Sequence, residues 1–319
     1  MGTIYIDRKD VHIKLDGNAI AFYANGVREG IVPVNPLKRV VVVGNVTIET
    51  AVLNKLSQEG VTVVFLSGKR LQFNGMLHGK LHRNGLLRLK QYEKSLTIFA
   101  LETAASIVAG KIQKQRSFLE EVREGRPDLR LALTTAMQIL SGVEEQLSAG
   151  QNEEERLRGL EGGAAASYFA AYTKMFPDSL GFEKRNRRPP EDPVNAMLSL
   201  CYTIVHYEMV REIEAIGLDP VIGFYHRFDY GRESLACDLV EKFRPDVDRR
   251  VWEMFRDRMF TVRDFAMDDE RPGCYLKKES RKHFYPANEE WLKVMRPLWV
   301  DEVRCLARRI IDGQDTIPE

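Results

Sequence analysis

Between Val221 and Pro245 the chain reads VIGFYHRFDYGRESLACDLVEKFRP, which sets a histidine, spaced carboxylates and arginines between apolar runs. After Gly231 the apolar residues Leu235, Leu239 and Val240 recur near helical spacing, with Ser234 placed to cap the helix. Asp238 and Glu241 then fall three residues apart on one helical face, so two carboxylates stand side by side. His226, on the loop just before this helix, is able to fold back over them. Together they make a mixed nitrogen and oxygen site for a divalent cation. The same residue types also serve as a solvated helix face beside a hydrogen-bonded core histidine, so a third acidic ligand elsewhere is needed to favour the metal.

The stretch RLRGLEGGAAASYFAAYTKMF, Arg156 to Phe176, supplies a candidate. Its small residues suit close helix packing. Glu161 is followed by Gly162, Gly163 and three alanines, so no large neighbour screens its carboxylate and a partner helix or a substrate backbone can come near. The competing reading is a glutamate near a helix N-terminus, interacting favourably with the helix dipole.

The elements that must position these residues divide the chain in two. From Thr3 to about Leu81, short apolar or alternating runs (TIYID, VHIKL, AIAFY, GIVPV, RVVVVG, VTVVFL, RLQFNG) are separated by turn residues and read as strands. Asp16-Gly17-Asn18 and Asn25-Gly26 read as hairpin turns, and Ile48 to Gly60 as a short helix stopped by its glycine. From about Gln91 onward helical periodicity takes over: Ser95 to Glu124, Leu129 to Ala149, a helix opened by Asp192 as cap with Pro193 in its first position, Asp246 to Met267, and Trp291 to Ile311. The fold class is therefore α+β, a small mainly-β domain over residues 1–90 followed by a larger all-α domain over 91–319. The exposed edges of so small a β domain are suited to packing against a second copy.

The formal net charge of +1 excludes coating of nucleic acid by bulk positive charge, so any such binding rests on local patches. Three patches stand out. Ser67 to Tyr92 has no acid but carries Lys69, Arg70, Lys80, Arg83, Arg88 and Lys90, a phosphate-tracking surface or a solvated linker. Lys184, Arg185, Arg187 and Arg188 precede a Pro-Pro break, and basic residues on a rigid loop suit phosphate contact; Asn195, at the start of the following helix, is either functional or a structural hydrogen-bonder. CYLKKESRKHFYP, Cys274 to Pro286, interleaves Lys277, Lys278, Arg281 and Lys282 with Tyr275, Phe284 and Tyr285, a pattern able to contact phosphates and stack bases, or an ordinary amphipathic segment. The acids Glu144, Glu145 and Glu153 to Glu155 read as a solvated face. His206 lies in an apolar helix and reads as a core residue.

Four cysteines without a CxxC pair speak against a zinc knuckle or a secreted disulfide framework and fit a reducing cytoplasm. MGTIYIDRKD has no apolar signal core, and no window approaches the roughly 18 apolar residues of a membrane span.

Three of these stretches, LRGLEGGAAASYF around Glu161, RRPPEDPVNAMLS around Asn195 and GFYHRFDYGRESLACDLVEKFRP around His226, follow one another after an N-terminal β region. In that order they resemble the CRISPR-associated integrase of spacer acquisition, the Cas one family, over almost the whole chain. The resemblance implies a β-sandwich-like N-terminal domain, a helical catalytic domain, and a homodimer joined to a small adaptation partner, Cas two. It places the family's metal-binding glutamate on Glu161, its histidine on His226 and its acidic pair on Asp238 and Glu241. Glu161, His226 and Glu241 are then the direct ligands of Mg²⁺ or Mn²⁺, with Asp238 as a further catalytic acid that binds metal, orients a ligand or holds water.

The implied reaction is attack by a DNA 3′-hydroxyl on a phosphodiester, which inserts short fragments into the repeat array. Arg185, Arg187, Arg188, Arg232, Arg244, Lys277 and Lys278 are candidates for holding DNA, Arg232 and Arg244 being alternatively ion-pair partners of the acids. The same ligands also serve a nuclease with water as nucleophile, and a DNA-binding scaffold without catalysis is the reading from another class.

Overall fold

The fold was obtained as a computed structural model, which describes residues 2–312 apart from 69–70, 80–81, 83, 151–152, 187–188, 227–228 and 268–271. The chain forms two compact units, one of residues 1–83 with 283–297 and one of residues 84–282 with 298–319.

In the first unit the β-branched runs give β1 (Thr3–Asp7), β2 (Val11–Asp16), β3 (Ala19–Ala24), β4 (Val27–Pro33), β5 (Arg39–Val43), β6 (Thr47–Ile48), then α1 (Thr50–Gln58), β7 (Thr62–Leu66) and β8 (Phe73–Leu77). They build two four-stranded sheets, ordered β1-β5-β7-β8 and β4-β3-β2-β6. In the first sheet β1, β5 and β7 run parallel and β8 antiparallel; the other is a meander with β6 added in parallel. The turn between β3 and β4 holds Asn25 and Gly26 at φ 50° and 78°, the left-handed pair that a tight hairpin requires. Ile13 and Ile20 from one sheet, Val40, Val42 and Val63 from the other, and Val52 and Leu56 of α1 share one apolar core. The alternating strands thus point their apolar faces at one another, as in a sandwich.

The second unit begins with α2 (Gly85–Ser95), α3 (Ile98–Gly125), α4 (Arg130–Ser148), α5 (Glu154–Tyr172), α6 (Pro193–Ile216) and α7 (Ser234–Arg256). Asp192 caps α6 through Oδ1, which accepts from the backbone N–H of Asn195 at 2.8 Å. α7 has no side-chain cap: Ser234 is its first residue and fully buried, so the expected Ser234 cap is not formed. After α7 the chain is not uniformly helical. Its helix stops at Arg256, and β9 (Phe265–Met267) pairs antiparallel with β10 (Cys274–Leu276), a small exception to the expected all-α region.

The last helix, α8 (Lys278–Asp312), begins well before Trp291 and runs through Pro286 and Pro297. Residues 283–297 of it belong to the first unit. There Tyr285 stacks on Tyr5 with ring centroids 4.3 Å apart and donates its hydroxyl to Asp7 at 2.9 Å, while Phe284 is fully buried. These two rings are therefore core rather than base-stacking groups, a correction to the reading of the basic-aromatic segment. Among the described residues no single helix is long and apolar enough to cross a membrane.

Candidate active site

α3 supplies the floor of the site. Its buried stripe runs Ala104, Ile107, Val108, Lys111, Ile112, Gln115, Phe118, Leu119 and Val122, so one lysine sits on the apolar face. α3 packs on α4, α5 and α7. At Gly110 the approach to α7 is close: a Cβ there would lie 3.1 Å from Cε of Lys242, so the missing side chain makes room beside Lys111.

Asp238 of α7 is fully buried and organises the loop before that helix. Its Oδ2 accepts the backbone N–H groups of Phe224 at 2.6 Å and Tyr225 at 2.9 Å, and its Oδ1 accepts the N–H of His226 at 2.8 Å. The loop comes this near because residue 223 is glycine, where a Cβ would stand 2.7 Å from Oδ2 of Asp238. The same Oδ1 lies 2.7 Å from Nδ1 of His226. An ionised carboxylate only accepts, so Nδ1 carries the proton and Nε2 keeps the free lone pair.

Glu161 on α5 and Glu241 on α7 are joined by Lys111, whose Nζ pairs with Oε1 of Glu161 and lies 2.7 Å from Oε2 of Glu241. Arg244 places Nε 2.8 Å from the other oxygen of Glu241. Tyr225 donates its hydroxyl to Oε2 of Glu161 at 2.8 Å. Burial pushes the Glu241 carboxyl up, but Arg244 and Lys111 outweigh it and hold the group at about 2. Burial, and then the Glu161 carboxylate, push the Tyr225 phenol well above its ordinary range. Gly162 and Gly163, beside Glu161, are exposed with open space above them, so this small-residue ground is clear rather than packed under a helix.

The candidate acids and histidine therefore belong to one connected network, drawn from α5, α7 and the loop before α7. Among the described residues no group of three or more His, Cys, Asp or Glu side chains is arranged to hold a metal ion. The donor types nevertheless fit a hard divalent cation: carboxylates from Glu161 and Glu241, and an imidazole whose Nδ1 is engaged by Asp238, the outer-shell support typical of a ligating histidine. What stands between the two glutamates is the ammonium of Lys111. Neither Lys111 nor Tyr225 was assigned a role from sequence; for Lys111 the usable signal was a cation inside the buried stripe of α3.

The basic candidates divide. Arg185 donates to Oδ1 of Asn195 at 2.7 Å and lies over the Tyr202 ring, 5.4 Å from its centroid. Asn195, fully buried, also accepts from Asn186 N at 3.0 Å and donates to Lys184 O at 2.8 Å and to Oδ2 of Asp192 at 2.5 Å, which is a structural role. Arg244 is held by Glu241 and the Tyr202 ring, and Arg232 is one of the groups that, after His206, outweigh burial and lower the Cys237 thiol. Lys277 and Lys278 are exposed, Lys277 donating to Arg263 O at 2.8 Å. Arg187 and Arg188, with Lys69, Arg70, Lys80 and Arg83 of the first patch, lie outside the described residues. His206 is partly buried and lies 3.3 Å from Glu233.

Comparison with known proteins bears on the fold and the family. The structure superposes on a Cas1 protein from Thermotoga maritima with a TM-score of 0.83 at 24% identity, covering 100% of this chain and 99% of that one. A casposase bound to an integration product gives a TM-score of 0.83 at 18% identity, over 99% of this chain and 92% of the other. These likenesses define the fold. A CRISPR-associated endonuclease Cas1 from Thermodesulfovibrio yellowstonii is 54% identical over 317 residues, 99% of each chain. Residues 4–290 match the family model described as CRISPR associated protein Cas1, and the chain belongs to that family.

Proposed function

We propose that this protein is a metal-dependent DNA endonuclease and integrase of CRISPR adaptation, which inserts short DNA fragments into the repeat array by attack of a 3′-hydroxyl on a phosphodiester. The observation that carries this reading is the network of Glu161, Glu241 and His226, with Nε2 of the histidine left free by Asp238. Glu161, His226 and Glu241 would hold Mg²⁺ or Mn²⁺. Such a cation supplies Lewis-acid stabilisation of charge on the phosphate oxygens. The chain's own residues do the rest. Asp238 fixes the histidine's tautomer and direction, Tyr225 fixes Glu161, and Arg244 fixes Glu241. The open ground at Gly162 and Gly163 gives a DNA backbone a path to Glu161.

DNA, a second copy of the chain and the small adaptation partner Cas2 are the proposed partners. Residues 1–90 are assigned to dimerisation and 91–319 to catalysis. The edge strand β4, with Val27 and Ile31 exposed, supports the first assignment. The four cysteines are all free, as suits a protein working in the cytoplasm. Lys277 and Lys278 are the exposed candidates for phosphate contact.

A strand-transfer assay tests the reading: purified protein with and without Cas2, a labelled fragment with a free 3′-hydroxyl, a repeat-bearing supercoiled plasmid, and Mg²⁺ or Mn²⁺ against chelator. Joined product that disappears with chelator and with Glu161→Ala is the expected result. Cutting without joining assigns water as nucleophile and makes the protein a nuclease; tight DNA binding with neither product makes it a scaffold.

A further inference from the structure

Lys111 is 6% exposed, and its ammonium pairs with both carboxylates proposed to hold the cation. All four oxygens of Glu161 and Glu241 have a donor or a cation beside them: Lys111 takes one from each, Tyr225 the second of Glu161, and Arg244 the second of Glu241. Of these, Lys111 alone spans the pair. A buried carboxylate facing a half-buried one would be repelled and lose hydration without compensation, so the protein needs a positive charge between them before any metal arrives.

We propose that Lys111 is a resident placeholder for the divalent cation: it holds Glu161 and Glu241 together in the metal-free protein and must leave them when the cation binds. This rests on reading Glu161, His226 and Glu241 as the cation site. Three carboxylates, Glu161, Asp238 and Glu241, face two cations, Lys111 and Arg244, so with His226 neutral the cluster carries a single net negative charge. A divalent cation is drawn to it weakly while Lys111 stays in place. Arg244 cannot take over the bridging role, because it is held against the far oxygen of Glu241 and the Tyr202 ring. Lysine suits a part that must yield, since its ammonium is a point charge on a flexible four-carbon stem, whereas arginine's planar fork would lock the two carboxylates. Displacement of Lys111 thus becomes a built-in threshold for metal loading.

The test is direct titration of the full-length protein with Mn²⁺, followed by calorimetry and by the electron paramagnetic resonance signal of free Mn²⁺. Lys111→Met removes the competing charge and nearly keeps the stem's volume. It is expected to raise Mn²⁺ affinity about tenfold or more, to melt at lower temperature without metal, and to gain more in melting temperature from Mn²⁺ than the unaltered protein. Equal or weaker binding in Lys111→Met, with both proteins binding Mn²⁺, overturns the placeholder and leaves the metal site standing. Absence of Mn²⁺ binding in both proteins overturns the metal-site reading and the placeholder with it.

Should Lys111→Met fail to fold, the unaltered protein gives a second readout. Its Lys111 ε-methylene resonances, assigned with Lys111→Arg, are expected to shift as Mg²⁺ is titrated in. Resonances that stay fixed while Mg²⁺ binds overturn the proposal.

Discussion

Nδ1 of His226 lies 2.7 Å from Oδ1 of Asp238, and the same carboxylate gathers the backbone N–H groups of residues 224 to 226. Asp238 thereby orients the loop and the ring, and in the proposed site ligation would fall to Nε2 of the imidazole. Asp238→Asn would turn an amide N–H toward N–H donors. It is expected to cost about 3 kcal/mol of stability and to lower strand joining about 10- to 100-fold. Urea denaturation and the joining assay, run on the same preparation, check both.

Glu161 has the more exposed of the two lysine-bound carboxylates, 23% against 8% for Glu241. Glu161→Gln keeps its shape and its hydrogen bond with Tyr225 but turns its amide N–H toward the Lys111 ammonium, which retains Glu241, so the loss in stability is expected to be about 2 kcal/mol. Cutting and joining of DNA should nevertheless fall by about 100-fold or more, the scale expected for loss of a direct ligand rather than its support. A protein that melts normally and still joins DNA at the original rate removes Glu161 from the site.

Asn195 fastens the loop at residues 184–186 to the start of α6 through three side-chain hydrogen bonds and makes a fourth to Asp192. Asn195→Ala leaves Arg185, Asn186 N, Lys184 O and Oδ2 of Asp192 without that partner. The expected cost is about 3 kcal/mol, with faster proteolytic cleavage in this loop than in the unaltered protein. Denaturation curves and timed proteolysis measure these effects independently of DNA.

Asp248 lies fully buried among Tyr168, Tyr202 and Arg244, and burial raises its carboxyl from 3.8 to about 6. The folded state therefore holds this proton more tightly than the unfolded state does. Stability from this group is greatest below pH 3.8 and declines as the pH rises through about 6, by up to about 3 kcal/mol. Asp248→Asn removes the titration. The unfolding free energy of the unaltered protein minus that of the variant should fall between pH 4 and 6 and level off above; a flat difference across that range would refute the assignment.

The β-branched strands, the Asn25-Gly26 turn and the Asp192 cap were legible because each rests on neighbours in sequence. The spacing of Asp238 and Glu241 was legible for the same reason. Lys111 was not, since nothing near residue 111 announces the two carboxylates it meets. Only its position between Val108 and Ile112 on a buried stripe marks it as unusual. The last helix was read as starting only at Trp291, whereas α8 starts at Lys278 and runs through Pro286 and Pro297, and Phe284 and Tyr285, read as able to stack bases, are both buried. Arg185 was read as a DNA contact and Arg244 as a DNA contact or an ion-pair partner, because only packing decides whether a guanidinium meets a Tyr202 ring or solvent.

The lysine of α3 stands 50 residues before one glutamate and 130 before the other. During synthesis, then, Lys111 and Glu161 leave the ribosome long before Glu241 exists, and the loop that carries His226 has no anchor until Asp238 has been added. Contacts so distant in sequence form late. An incomplete chain, released early or cut short, carries the separate side chains but never their assembly, so the capacity to break DNA would arise only in a molecule whose second unit has been made at least through α7.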